Sequence, residues 1–171
     1  MTTVNVNADG SSSTIDTTLP TSNAYISPIA QPARNALLST LTNANPCWAF
    51  FNAATSKSGM GSPGQTFADT DVRLNPSAPI SVGGQSEQGS GSNGPIFINP
   101  NSAFSHGTVS MNGQPTAISI GPFKGGTNGA QEGILAHEFG HKTNAIPSDG
   151  KSVDQSWKNT DTVMHYCANQ F

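Results

Sequence analysis

The chain is poor in charged residues. Of its 171 residues only 10% are Asp, Glu, Lys or Arg, and the formal net charge is -3. Without a basic excess the surface has no electropositive face for a nucleic acid or an anionic membrane, so neither is expected as a partner. The sequence also lacks an apolar run of the roughly 20 residues that a membrane-spanning helix needs. We therefore expect no membrane span.

The scarcity of charge is combined with an abundance of small polar residues. There are 18 Gly and 12 Pro residues, with many Ser, Thr and Asn, a composition that favours a secreted bacterial protein over a cytosolic enzyme. Residues 1–5 lack the charged and apolar segments of a signal peptide. We therefore expect the mature form of an extracellular protein, with an added Met and with the signal peptide absent from this chain.

Cysteine is also scarce, since Cys47 and Cys167 are the only two. Both lie in apolar segments, so they form either a disulfide or two buried free thiols. An extracellular compartment favours the disulfide. Such a bridge closes a long loop, which is worth on the order of 4 kcal/mol in the chain-entropy model.

A length of 171 residues suits one domain with a core of its own. Residues 1–30 are mostly polar and are predicted to form a flexible N-terminal arm, which leaves residues 31–171 as the domain. A helix is predicted from Pro32, because Pro suits a first helical position and apolar residues follow at helical spacing. A second helix is predicted over residues 47–54.

The middle of the chain has the pattern of short strands and loops. β-branched and aromatic residues predict strands at 71–74, 78–82, 95–99 and 116–120. Gly, Ser and Pro predict loops at 56–64 and 83–94. A final helix is predicted near the C-terminus, capped at Ser156 or Asn159. Its expected core residues are Trp157, Val163, Met164 and Cys167.

The segment 133–141 reads Gly-Ile-Leu-Ala-His-Glu-Phe-Gly-His and contains an HExxH pattern. Residues four apart lie on one face of a helix. His137 and His141 can therefore bind one metal ion, while Glu138 reaches a water molecule at that ion without being a ligand. These residue types are typical of metal-assisted peptide hydrolysis. The alternative is a surface helix with two histidines, which the apolar neighbours disfavour.

Capping signals predict where this helix begins and ends. Asn128 can cap it, and Gln131 follows three residues later as in a capping box. The predicted helix runs over residues 129–143. Asn144 can adopt the left-handed conformation that ends a helix, and Pro147 prevents its resumption. One face of the helix carries small residues that allow a neighbour to approach closely, namely Gly133, Ala136 and Gly140.

A catalytic zinc site needs a third protein ligand and an open position. Asp149 is the nearest carboxylate after the helix, and Gly150 helps the chain to turn back. We therefore expect His137, His141 and Asp149 to hold Zn²⁺, although the same atoms also bind other divalent metals. Three other residues remain as alternatives for the third ligand: Asp154, Asp161 and His165.

With these residues, the chain resembles the zincin metallopeptidases through His137, Glu138 and His141. The resemblance implies an α+β fold in which a small mixed sheet packs against the HExxH helix, with further helices at the N-terminal and C-terminal sides. In zincins a strand before the active helix often binds the substrate as an additional strand. Residues 96–99 or 118–120 are expected in that role.

The chain is most similar to secreted bacterial zincin-like domains with no established substrate. The likeness covers roughly residues 30–171 and rests on the segments 135–141 and 146–150. A C-terminal stretch completes it, with Asn159, Thr160, Val163 and Cys167.

Two better-known zincin groups fit less well. The metzincin signature has Gly where this chain has Asn144, and a third His or Asp where it has Pro147. Residues 162–166 nevertheless resemble a Met-turn, which implies that Tyr166 is a transition-state donor or a labile ligand. The gluzincins require a Glu on a later helix, and no Glu follows Glu138.

The favoured function is that of a secreted, monomeric zinc endopeptidase acting on a peptide or protein substrate. Glu138 is expected to be the general base and later the proton shuttle. One alternative is a metal-binding, catalytically degenerate zincin-like module. The other is a Gly/Ser-rich structural domain in which the HExxH pattern is incidental.

Overall fold

The computed structural model describes residues 23–171 fully, and nearer the N-terminus the backbone of two short strands. These strands, β1 (Thr2–Val6) and β2 (Ser12–Asp16), pair antiparallel. The predicted arm, residues 1–30, falls partly on residues outside this description: 1, 7–11 and 17–22.

Ile26 packs against the domain core. Ile26 forms a parallel bridge with Val72, and the Ser27 amide donates to the Val72 carbonyl at 2.8 Å. A 3-10 turn over Pro28–Ala30 follows, and Ala30 is fully buried. The last residues of the predicted arm are therefore packed against the domain.

The described residues contain five α-helices. The first three are α1 (Gln31–Thr42), α2 (Pro46–Lys57) and α3 (Pro63–Ala68). The other two are α4 (Asn128–Lys142), which carries the HExxH pattern, and α5 (Val153–Cys167), followed by a 3-10 turn at Ala168–Gln170. The predicted first, second and final helices are confirmed, whereas α3 lies partly in a predicted loop.

Between α3 and α4 the chain forms short strands. Three of them form a mixed sheet, β3 (Val72–Leu74), β4 (Gly84–Gln85) and β5 (Ile96–Ile98). β5 is central, parallel to β3 and antiparallel to β4. Two hairpins follow: β6 (Thr108–Met111) with β7 (Gln114–Ala117), and β8 (Ser119–Ile120) with β9 (Phe123–Lys124). The α+β class is confirmed. The strand predicted at 78–82 is wrong, because that segment forms turns.

α4 is the central element of the core and contacts α1, α5 and the mixed sheet. Its Phe139 ring packs between two other rings, with centroids 5.1 Å from Phe51 and 5.2 Å from Phe67. Such tilted and edge contacts add to the stabilisation from burying large apolar rings. A helix this deeply buried presents its polar side chains in fixed positions.

α5 is joined covalently to α2. Cys47 of α2 and Cys167 of α5 form a disulfide across 120 residues, so the predicted bridge is confirmed. The helix begins earlier than predicted, with Ser152 as its cap. The prediction that Trp157 is a core residue is wrong, because Trp157 is 53% exposed. Among the described residues, no helix is both long and apolar enough to cross a membrane.

Candidate metal centre

Both ends of α4 are fixed by local hydrogen bonds. The Thr127 hydroxyl accepts from the Ala130 amide at 3.4 Å, so Thr127 is the N-cap and the prediction of Asn128 is wrong by one residue. At the other end Asn144 has a φ of 57°, the predicted left-handed conformation. The Ala145 amide then donates back to the Gly140 carbonyl at 2.9 Å. The chain therefore reverses direction directly after the last turn of the helix.

Glycine permits this reversal to pack closely on the helix. A Cβ atom added at Gly140 would lie 2.9 Å from Ile146 Cδ1, and one added at Gly133 would collide with Met164 of α5. Both contacts confirm that small residues on α4 allow close neighbours. Because Ile146 rests on Gly140, the following residues are held beside the histidines, and Asp149 reaches them.

The side chains of His137, His141 and Asp149 converge on one point. The two Nε2 atoms lie 3.0 Å apart. Asp149 Oδ2 lies 3.2 Å from His137 Nε2, and its Oδ1 lies 3.4 Å from His141 Nε2. Ligand atoms about 2.0–2.1 Å from a tetrahedral Zn²⁺ are about 3.3 Å from one another. The spacing and chemistry of these three groups therefore fit one small divalent cation.

The other candidates for a third ligand are directed elsewhere. Asp154, Asp161 and His165 are exposed residues of α5. Within the described residues, the only cluster of metal-ligating side chains consists of His137, His141 and Asp149. Glu138 is not a member of that cluster.

Each of the three groups has a second hydrogen-bonding partner. His137 Nδ1 lies 3.1 Å from the Thr160 hydroxyl, and His141 Nδ1 lies 3.2 Å from Gln88 Oε1. The Asn159 amide donates to Asp149 Oδ1 at 2.6 Å. Partners of this kind orient metal ligands and fix the tautomer of an imidazole. Thr160 and Asn159 belong to α5, whereas Gln88 belongs to a loop.

Glu138 is buried next to the cluster and is held by Ser86. The Ser86 hydroxyl lies 2.9 Å from Glu138 Oε2 and 2.8 Å from the Glu138 carbonyl. Gly84 of β4 passes so close that an added Cβ would lie 2.7 Å from Glu138 Cγ. Burial raises the pKa of Glu138 to about 7, although His137 and the Ser86 hydrogen bond oppose the shift. A carboxyl group with such a pKa can both accept and return a proton near neutral pH.

The charges of the cluster favour a cation. Burial lowers the pKa of His137, but the hydrogen bond to Asp149 and the charges of Glu138 and Asp149 outweigh burial, so the net shift is upward. Burial and the charge on His137 lower the pKa of His141. The pKa of Asp149 is lowered because, despite burial, it accepts hydrogen bonds from His137 and Asn159. Asp149 therefore stays ionised and attracts positive charge to this point.

A cavity of about 280 Å³ opens at the cluster. Its wall is formed by β4 with the segments before and after it, by α4 and by the turn before α5. The lining residues are Val82, Gly84, Gln85, Ser86, Gln88, Glu138, His141, Ser148, Asp149 and Gly150. Glu138 and Asp149 are the only Asp, Glu, Lys or Arg residues in that wall. The cavity therefore connects solvent with His141, Asp149 and Glu138.

Tyr166 does not line this cavity. Its ring stacks on Phe50 of α2 with a centroid distance of 4.6 Å, and residues 162–166 continue α5 rather than forming a turn. No role was predicted for Ser86 or Gln88, and Thr160 was named only in the C-terminal stretch of the resemblance. Their contacts span 23–53 residues of chain, and no local pattern marks them.

Comparison of the chain with protein-family models, with curated proteins and with solved structures finds no match.

Proposed function

We propose that this chain is a zinc-dependent peptidase with a zincin-like fold. The observation that carries the proposal is the convergence of His137 Nε2, His141 Nε2 and the Asp149 carboxylate within 4.8 Å of one another. Glu138 lies beside them at an open cavity. Two imidazoles, one carboxylate and an open position are the ligand pattern of a catalytic zinc site.

His137, His141 and Asp149 would hold the cation. When bound, it supplies Lewis acidity, which lowers the pKa of water and polarises a carbonyl group. The Ser86 hydroxyl contacts Glu138 Oε2, whereas Oε1 lies next to Gly84 of β4. Glu138 then takes a proton at Oε1 from a water molecule in the cavity and later returns it to the leaving amine.

β4 is the strand that best fits an extended peptide. The expectation of residues 96–99 is wrong, because β5 has β3 on one side and β4 on the other. Residues 118–120 contribute to β8, which pairs with β9 outside the mixed sheet. β4 is an edge strand of that sheet, and both of its residues line the cavity. An additional strand paired with β4 would lie across the metal centre.

An extracellular location is part of the same proposal. The buried disulfide and the low content of charged residues support it. Disulfides persist in oxidising compartments and are rare in the cytosol.

The test is cleavage of casein and of a peptide library, with zinc and with a chelator, by wild type, Glu138→Gln and Glu87→Gln. Wild type should cleave only with zinc bound. Glu138→Gln should retain stoichiometric zinc but lose about 10²–10⁴-fold in rate, because the proton acceptor is gone. Glu87 is an exposed acid outside the cavity wall, so its variant should behave as wild type. Full activity of Glu138→Gln would falsify the mechanism.

One observation favours a second candidate, a metal-binding module without turnover. Tyr166, the expected transition-state donor, stacks on Phe50 and is not part of the cavity wall. Stoichiometric zinc without cleavage of any library peptide would support this candidate. A purified protein with no transition metal above background would instead indicate that the HExxH pattern is incidental.

A further inference from the structure

The segment of residues 86–94, here called the 86–94 loop, is bound along the C-terminal end of α4. The Gly89 amide donates to the His141 carbonyl, and the Gly91 amide donates to the Lys142 carbonyl, both at 2.9 Å. The last carbonyls of a helix have no partner within the helix. The loop supplies donors to two of them, so it is a fixed part of the helix end.

Lys142 fastens the same loop through its side chain. Its ammonium group is fully buried and donates to Ser90 Oγ at 2.7 Å, to the Asn93 carbonyl at 2.7 Å and to the Gly94 carbonyl at 2.9 Å. All three donors of the ammonium group are thereby used. The loop is therefore held next to His141 from both of its ends, by Ser86 on Glu138 and by Lys142.

The orientation of the Gln88 amide follows from its partners. Its Nε2 donates to the Ile146 carbonyl at 3.0 Å and to Asn144 Oδ1 at 2.7 Å. A backbone carbonyl only accepts hydrogen bonds, so the nitrogen of the Gln88 amide must face Ile146. Its oxygen, Oε1, is then the atom that lies 3.2 Å from His141 Nδ1.

This orientation favours one tautomer of His141. Because Gln88 Oε1 can only accept, it stabilises the tautomer of neutral His141 that carries its hydrogen on Nδ1 and its lone pair on Nε2. It does so against the Asp149 carboxylate, which also only accepts and whose Oδ1 lies 3.4 Å from Nε2. Nε2 is the atom that faces His137 and Asp149. His137 differs, because its Nδ1 partner is the Thr160 hydroxyl, which can either donate or accept.

We propose that Gln88 is a positioning residue that sets the His141 tautomer and makes metal retention depend on the 86–94 loop. This inference rests on the proposed function, since it requires that the three converging groups bind a metal. Gln88 acts through His141 and contacts no substrate atom in this role. A loop thus controls how firmly one of two helical histidines holds the cation.

The experiment compares wild type, Gln88→Met and Gln85→Met. Met has the length of Gln without its hydrogen bonds. Gln85 also lines the cavity, but its Oε1 accepts from Asn75 and not from a metal-binding residue. Zinc affinity is measured by competition with a chromophoric chelator. Gln88→Met should bind zinc about 10–100-fold more weakly, as is usual for loss of a ligand's partner, and Gln85→Met within about twofold of wild type.

A second measurement does not depend on any variant folding. In ¹⁵N-labelled wild type freed of metal, at a pH where His141 is neutral, long-range ¹H–¹⁵N spectra should show its hydrogen on Nδ1. A hydrogen on Nε2, or a folded Gln88→Met that binds zinc as tightly as wild type, would overturn the inference alone. Wild type that binds no zinc would overturn the proposed function, and with it the role of Gln88 in metal retention.

Discussion

His137 and His141 are one helical turn apart, yet they are supported by different kinds of structure. His137 contacts Thr160 of α5, a helix that the disulfide joins to α2. His141 contacts Gln88 of the 86–94 loop, in which Gly89 and Gly91 have φ values of 68° and 57°. α5, which contacts His137, is held in place by apolar packing. The 86–94 loop, which contacts His141, is held in place by individual hydrogen bonds. The two supports should therefore respond differently to mutation.

The largest effect is expected from removing the disulfide. A variant with Cys47→Ala and Cys167→Ala should lose about 2–5 kcal/mol in the free energy of unfolding, because a 120-residue separation is no longer constrained. Urea unfolding of the zinc-free proteins measures this loss. Wild type in reductant is the control and should shift in the same direction. Unchanged stability would show that apolar packing alone holds α5.

The sequence predicted the approach of His137, His141 and Asp149 to one another, but it did not predict the bounds of α5. Helical spacing predicted that His137 and His141 share a face, and the turn after Asn144 predicted Asp149. The same reasoning misplaced the start of α5, because Ser156 and Asn159 are as good caps by composition as Ser152. Starting at Val153, the helix buries Val163 and Met164 and leaves Trp157 exposed.

The contacts of the 86–94 loop with α4 could not be predicted from the sequence, for a physical reason. Residues 83–94 are rich in Gly, Ser and Gln, which carry no periodic apolar pattern. The contacts of Ser86 and Gln88 with α4 join residues 52 and 53 positions apart. Such groups come together only in the folded chain. The sequence alone therefore predicted a loop at these residues and assigned it no function.

The second effect concerns Glu132, a buried acid on α4 outside the candidate metal centre. Burial raises the pKa of Glu132 from 4.5 to about 7, and Glu132 is 5% exposed. The folded protein therefore binds this proton more tightly than the unfolded chain. The resulting stability is fully present below about pH 4.5 and is lost as the pH rises through 7. The difference corresponds to at most about 3 kcal/mol.

Glu132→Gln tests this dependence, because Gln keeps the shape and does not titrate. Urea unfolding of zinc-free wild type from pH 4.5 to about 7, the interval between the two pKa values, should show stability falling relative to the variant. Zinc-free protein is used because metal binding is itself pH-dependent. Parallel curves for the two proteins would mean that the carboxyl group is hydrated.

The third effect compares Thr160, the partner of His137, with Gln88, the partner of His141. Thr160→Val keeps the side-chain volume but removes the hydroxyl that contacts His137 Nδ1. Zinc affinity should fall about 10–100-fold. The loss should exceed that of Gln88→Met, because Thr160 is buried while Gln88 is exposed and water can replace its amide. Chelator competition measures both.

Thr162→Val is the matched control for Thr160→Val. Thr162 is exposed on the same helix, and its hydroxyl donates to the Lys158 carbonyl. Its variant should bind zinc as wild type does. If Gln88→Met loses more affinity than Thr160→Val, the loop is the more important support and the comparison is reversed.

The smallest effect is expected at Ser86, which contacts Glu138, the proposed general base, rather than a proposed metal ligand. Ser86→Ala removes the hydroxyl that lies 2.9 Å from Glu138 Oε2. A hydrogen bond to a charged group contributes about 1.5–3 kcal/mol, and water entering the open cavity replaces part of it. We therefore expect kcat to fall several-fold while KM and zinc affinity stay unchanged. Ser148→Ala, at another cavity-lining serine, is the control. A Ser86→Ala variant that loses zinc instead would show that the 86–94 loop supports the ligands and the base as one unit.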